Sequence, residues 1–162
     1  PDLSTFAMLG RNAQNPAPPG GHNGSSPIIP RTGEAVLEYL RFYTSNLQNV
    51  SEGGTLRFQG PVFMTNWDRT LVAMIMFPIG RDKAMNAKMR AAFEKWVHLA
   101  AERGWAEYRA PAGFQDLCAK TYSFNNHSLT RLRETIKDAV DPNGILSPGR
   151  YGVWPKHLRK SR

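Results

Sequence analysis

Two arginines stand where a planar, permanently charged donor could meet an anion. Arg109 closes the tripeptide Glu107-Tyr108-Arg109, and Arg150 sits inside Asp141-Pro-Asn-Gly-Ile-Leu-Ser-Pro-Gly-Arg150-Tyr-Gly-Val-Trp154-Pro. A guanidinium stays protonated at any working pH and offers a fork of N–H donors to a carboxylate, a phosphate or a cofactor edge. Tyr108 adds a hydroxyl able to bond a phenolate or carboxylate. An arginine ending an extended segment is most often half of a structural ion pair, so Tyr108-Arg109 alone is a weak signal. The second motif reads as two turns, Pro142-Asn-Gly144 and Ser147-Pro-Gly149, flanking a buried Ile145-Leu146 pair.

The other reactive side chains point to less. Cys118 is the single cysteine, which leaves no internal disulfide and no thiolate-rich metal cluster; a buried thiol is expected there. His22, His98, His127 and His157 include no pair at metal-ligand spacing, so no metal site is expected. His22 differs from the others in its neighbours, with Gly20-Gly21 before it and Gly24 after it. Glycines let backbone approach a bulky planar group, although a solvated loop histidine is the plainer reading. No GxSxG, phosphate loop or GxGxxG occurs, so a self-contained nucleotide motif is missing.

The elements that must carry these residues follow from periodicity. Residues 10–33 form an extended Gly/Pro-rich loop, with Ser26-Pro-Ile-Ile-Pro30 as a short edge strand. Thr32 caps a helix to about Val50, with Val36, Tyr39, Leu40, Tyr43 and Leu47 on its apolar face. Leu56–Met64 and Thr70–Phe77 read as strands, the second apolar on both faces and therefore central. Asp82 opens a long helix with Met85, Met89, Phe93, Trp96 and Ala100 on one stripe, stopped by Arg103-Gly104. The order predicts an antiparallel sheet with helices on one face, an α+β layer resembling half of a larger sandwich. After Gly104 come a short extended piece, 105–110, and a helix over 111–120. A further helix, capped by Asn126 or Ser128, carries Leu129, Leu132, Ile136 and Val140 on one side. This segment has little core of its own and is expected to dock on other protein.

Composition narrows the classes. Lys plus Arg exceed Asp plus Glu, 21 to 13, for a net charge of +8. Part of that excess lies in 156–162, read as a frayed terminus, and the rest is scattered along helical faces. A basic nucleic-acid binder is therefore the weaker alternative; an anionic cofactor or a partner subunit explains the sign equally well. The longest apolar run, 71–77, is too short to span a membrane, and residues 1–20 lack the pattern of a secretory leader. A cytoplasmic location is expected. A non-catalytic α+β interaction module is the main competitor to an enzyme.

Four segments taken in order say more. Gly21-His22-Asn-Gly-Ser-Ser26-Pro-Ile, Gly104-Trp-Ala-Glu-Tyr108-Arg109, Tyr122-Ser-Phe-Asn-Asn126 and the Asp141–Pro155 motif resemble the C-terminal part of the vanillyl-alcohol oxidase and 4-cresol dehydrogenase flavoproteins. The likeness covers about residues 20–157, and its last motif is the most specific. It implies an FAD enzyme that oxidises para-alkyl or para-hydroxymethyl phenols by hydride transfer to flavin N5 through a quinone methide. On the family's map, residues 1–106 are the C-terminal half of a ferredoxin-like cap (substrate) domain. Residues 107–162 are a mainly helical segment returning to an FAD-binding domain that these residues do not include. The implied partners are that FAD-binding half, a phenolic substrate, a second copy in a homo-oligomer and, in a dehydrogenase-like periplasmic relative, a cytochrome acceptor; neither nucleic acid nor membrane is implied.

The resemblance also assigns roles. Tyr108 would donate to the phenol oxygen and favour its phenolate. Arg109 would sit at the flavin edge where negative charge appears on reduction. Arg150 would be a second cation near flavin or phenolate. His22 would be the covalent attachment of FAD, as in histidyl members; other relatives use tyrosine or no bond at all. Asn23-Gly-Ser25 departs from the bulkier residues expected there.

Overall fold

The computed structural model describes residues 21–47, 61–64 and 68–159. The loop over 10–20, the helix end at 48–50, the Gly53-Gly54 stop, the first part of the 56–64 strand and the turn at 65–67 lie outside them.

The centre is β4, Thr70–Ile79, and its sequence explains its place. Leu71, Ala73, Ile75 and Phe77 alternate onto one face and are all buried, while Val72 on the other face is fully buried too. Such a strand needs neighbours on both edges. Along one edge run β1, Gly21–Ser25, and β2, Pro27–Pro30. Gly21 pairs Ile79 and Ser25 pairs Ile75, and Ile28 pairs Val72 further along the same edge. The register is unbroken, so β1 and β2 are one strand interrupted at Ser26. On the other edge lies β3, Val62–Met64, with Phe63 opposite Ala73. A last strand, β5, Ala106–Glu107, pairs with β2. All pairings are antiparallel. β2 thus lies between β4 and β5 instead of at the edge its prolines suggested. Pro27 opens the strand and Pro30 closes it, positions where a missing N–H does not interrupt the ladder.

Two helices cover the odd-numbered face. In α1, Gly33–Leu47, Thr32 Oγ1 accepts from the Ala35 N–H as the expected cap. Its buried side is Ala35, Tyr39, Phe42 and Leu47. Phe42 takes the place expected of Leu40, which is exposed. The aromatic ring wins because it fits between Trp96, 4.2 Å away between centroids, and Trp105 at 5.4 Å. In α2, Lys83–Ala101, Asp82 caps the Met85 N–H, and Met89, Phe93, Trp96, Val97 and Ala100 are buried. Gly104 takes φ +73 just past its end. Arg103 lies over the Phe42 ring at 4.7 Å and donates to the Leu99 carbonyl. The α+β class with helices on one sheet face is what the periodicity predicted.

The C-terminal segment leans on this layer at a few points. A 3-10 turn, Ala112–Phe114, leads into α3, Gln115–Thr121. Phe114 stacks on Phe93 of α2 at 4.2 Å. The helix α4, Phe124–Val140, opens on three left-handed residues, Asn125, Asn126 and His127. Asparagine tolerates that region better than most side chains. Neither expected cap operates: Asn126 is itself left-handed, and Ser128 Oγ donates back to the Phe124 carbonyl.

Two further expectations fail here for identifiable reasons. Ile145 and Leu146 are 75% and 63% exposed, not buried. The Asp141 carboxylate accepts both their N–H groups at 2.9 Å, and Lys137 bonds that carboxylate and the Leu146 carbonyl. This staple ties the backbone inward and turns the two side chains out. The Lys137 ammonium and those N–H donors hold the Asp141 carboxyl below its ordinary range. Nor is the tail frayed through Arg159, whose guanidinium forks onto Asp138 at 2.6 and 2.9 Å.

Candidate functional site

Pleating decides where the sequence-predicted residues point. Successive strand residues alternate between faces, and the odd face is filled by the helices. The even face carries His22, Gly24, Ile28, Met64, Val72, Met74 and Met76 by register. Through and around β5 the same alternation buries Trp105 and Glu107 and sends Tyr108 to the other side, 42% exposed. The Tyr108 N–H donates to the Ser26 carbonyl at 2.9 Å, which continues the β2–β5 pairing by one residue. His22 and Tyr108 therefore share one sheet face, four residues apart in register. That offset is roughly 13 Å along the sheet. Arg109 follows directly, its guanidinium 5.9 Å from the Tyr108 ring centroid.

The platform between His22 and Tyr108 is apolar and soft. Met74 and Met76 are half-buried, and thioethers adapt to flat ring systems. A Cβ added at Gly24 would meet only Met76 Sδ at 3.6 Å, an ordinary contact. The glycine is thus not needed for packing against the described residues. A planar group laid here would be covered on one side, with a histidine, a tyrosine and an arginine at its margins. These residues suit the ring of a flavin; its nucleotide part and its other side call for protein beyond this layer.

Arg150 is placed differently. Residues 150–152 form a 3-10 turn stapled to α3, where the Tyr151 N–H donates to Gln115 Oε1 and Trp154 Nε1 to Asp116 Oδ1. Gly152, at φ +73, would bring a Cβ within 2.5 Å of Ala119 Cβ. The glycines and tryptophan of the motif are thus explained by folding. The Arg150 side chain is left exposed beside Tyr151, at 5.1 Å, on an open groove of about 400 Å³ between the start of α3 and Ser147–Arg150. The structure groups Tyr108, Arg109 and His22 around the sheet and seats Arg150 on α3.

One residue carries more of the site than its sequence setting suggested. Glu107 is buried, and its carboxylate accepts from Ser25 Oγ at 2.8 Å and from the Ser26 N–H. Trp96 Nε1 donates to the same Ser25 Oγ at 3.1 Å. The Glu107 carbonyl accepts from the Tyr122 hydroxyl at 2.7 Å. The signal was available: Trp105 and Glu107 share parity, so a buried tryptophan implies an inward glutamate. Cys118 is buried as expected, its thiol pushed up to about 12 by desolvation and by the Glu107 charge.

Desolvation raises the Glu107 pKa from 4.5 to about 7, against the opposing effect of its hydrogen bonds from Ser25 and Ser26. The sign for stability follows. Between these values the unfolded carboxyl is ionised while the folded one keeps its proton, so stability falls as pH rises. The loss is complete above about pH 7 and amounts to about 3 kcal/mol at most. Denaturant midpoints at pH 5 and pH 8 should differ in that direction, and Glu107→Gln should flatten the difference.

Comparison with known proteins gives the following. Over 88% of its residues the chain superposes on 4-ethylphenol oxidase from Gulosibacter chungangensis, solved with isoeugenol, with a TM-score of 0.72 and 31% identity. It superposes over 83% on p-cresol methylhydroxylase with substrate bound, TM-score 0.67; at 24% identity this likeness shows the fold alone. A stretch of 63 residues is 40% identical to the 4-cresol dehydrogenase [hydroxylating] flavoprotein subunit of Pseudomonas putida, covering 39% of this chain and 12% of that protein. The chain spans about a quarter of the solved relatives, 26% and 24% of their lengths. No protein-family model matches it. Among the described residues no helix is long and apolar enough to cross a membrane, and no cluster of metal-ligating side chains occurs.

Proposed function

Since this chain belongs to the vanillyl-alcohol oxidase and 4-cresol dehydrogenase family of flavoproteins, as part of their length, we propose that it supplies the roof and one wall of an FAD-dependent site oxidising para-substituted phenols. Residues 1–106 act as the C-terminal half of the cap, and 107–162 as the segment that returns to the FAD-binding part. The observation that carries this reading is the sheet register that sets His22 and Tyr108 on the face opposite α1 and α2, with Arg109 beside Tyr108.

FAD, when bound, supplies the acceptor for a hydride. The chain's own residues prepare the substrate for its loss. The Tyr108 hydroxyl holds the phenol oxygen and favours its ionised form, from which electron density reaches the para carbon. Arg109 provides a fixed positive charge at the margin of the platform, where a donor fork needs no reorganisation during the reaction. Arg150 adds a second cation on the α3 side. His22 stands at the far end of the platform as the candidate covalent link. The methionines exclude water from the ring. The FAD-binding part docks against the exposed stripe Leu132, Ile136 and Val140 of α4, together with Ile145 and Leu146.

Anaerobic mixing of the full-length protein with a para-alkylphenol tests the reading. Bleaching of the flavin with the para compound, and not with its meta isomer, is the expected result. No bleaching with either would overturn it. Acid precipitation reports on His22: yellow colour should stay with the protein and be lost to the supernatant in His22→Ala.

A further inference from the structure

We infer that Glu107 is a positioning residue for the Tyr108–Arg109 pair, acting from the opposite side of the sheet. This rests on the reading above, in which Tyr108 meets the phenol oxygen. The strand itself is short: β5 makes two residue pairings with β2, and only the Tyr108 N–H bond to the Ser26 carbonyl carries the ladder one residue further. The Glu107 side chain supplies what the ladder lacks. One oxygen takes Ser25 Oγ, and the other takes the Ser26 N–H at the point where β1 gives way to β2. Residue 107 is thereby fixed relative to Ser26 through its side chain, and Tyr108, held by its own N–H bond to the Ser26 carbonyl, has one way to leave the sheet.

The surroundings let the carboxylate act on orientation and not through its charge on the substrate. It lies on the helix face, among Tyr39 of α1, Cys118 of α3 and Tyr122, whose ionisations its charge raises. Trp96 of α2 meets it through Ser25. Tyr108 projects from the other face.

The test uses a para-substituted phenol that binds but has no oxidisable para carbon, titrated against pH in the flavin-loaded, full-length protein. Its phenolate absorbance gives the pKa of the bound phenol. Glu107→Gln keeps the shape but replaces one accepting oxygen by an NH2 donor, so the Ser25 hydroxyl or the Ser26 N–H loses its acceptor. It should raise that pKa by about one unit, a tenfold loss of phenolate preference, and lower kcat about tenfold with a smaller change in KM. Glu107→Asp, shorter by one methylene, should give a lesser shift in the same direction, and serves if the glutamine variant does not fold. An unchanged bound-phenol pKa in the folded variants overturns the inference. Tyr108→Phe separates the two claims: if it too leaves the phenol bound as phenolate, the underlying reading of Tyr108 fails instead.

Discussion

Tyr108→Phe should slow phenol oxidation by on the order of 10²–10³-fold, the loss typical when one donor to a developing oxyanion is removed. The substitution deletes one oxygen from a side chain that is 42% exposed on the open sheet face. Its backbone bond to the Ser26 carbonyl is untouched, so the sheet stays intact. Stopped-flow reduction of the flavin by a para-alkylphenol measures the step directly. Binding of FAD and the thermal midpoint should not change. Turnover within twofold of the parent would remove Tyr108 from the reacting centre.

Trp96→Ala should have the largest effect on stability, a loss of roughly 3–5 kcal/mol for deleting a buried aromatic side chain. Trp96 is 1% exposed and meets Tyr39, Phe42 and Phe77 at centroid distances of 5.8, 4.2 and 6.3 Å. Its indole N–H also holds Ser25 Oγ, one of the partners of Glu107. The damage should therefore reach the site, with the denaturant midpoint and the flavin reduction rate falling together. A loss below about 1 kcal/mol would mean that the core refills the space, contrary to the packing described.

How much of this could be read from residues alone differs by element. β4 was legible because seven apolar residues in a row admit only a central strand, and α2 because its stripe keeps helical spacing from Met85 to Ala100. The caps Thr32 and Asp82 were legible because an N-cap is a local contact over three residues. β2's interior position was not, since it depends on pairing with β5 nearly 80 residues later. The outward turn of Ile145 and Leu146 was missed for another reason: the apolar types suggested burial, while a buried Lys137–Asp141 pair decided the backbone path. At the site, Tyr108 and Arg109 could be singled out by type, but the face that Tyr108 shares with His22 needs the register of β1, β2, β4 and β5. Glu107 was given no role by its type, and it is an internal charge.

The staple formed by Lys137 and Asp141 has an effect on assembly. Because it holds the two apolar side chains outward before anything meets them, little conformational freedom remains to be lost when the surface is covered. The C-terminal segment should join its neighbour as a ready-made part, quickly and without a folding step of its own. Left bare in dilute solution, the same hydrocarbon ridge is where copies of the chain would stick to one another.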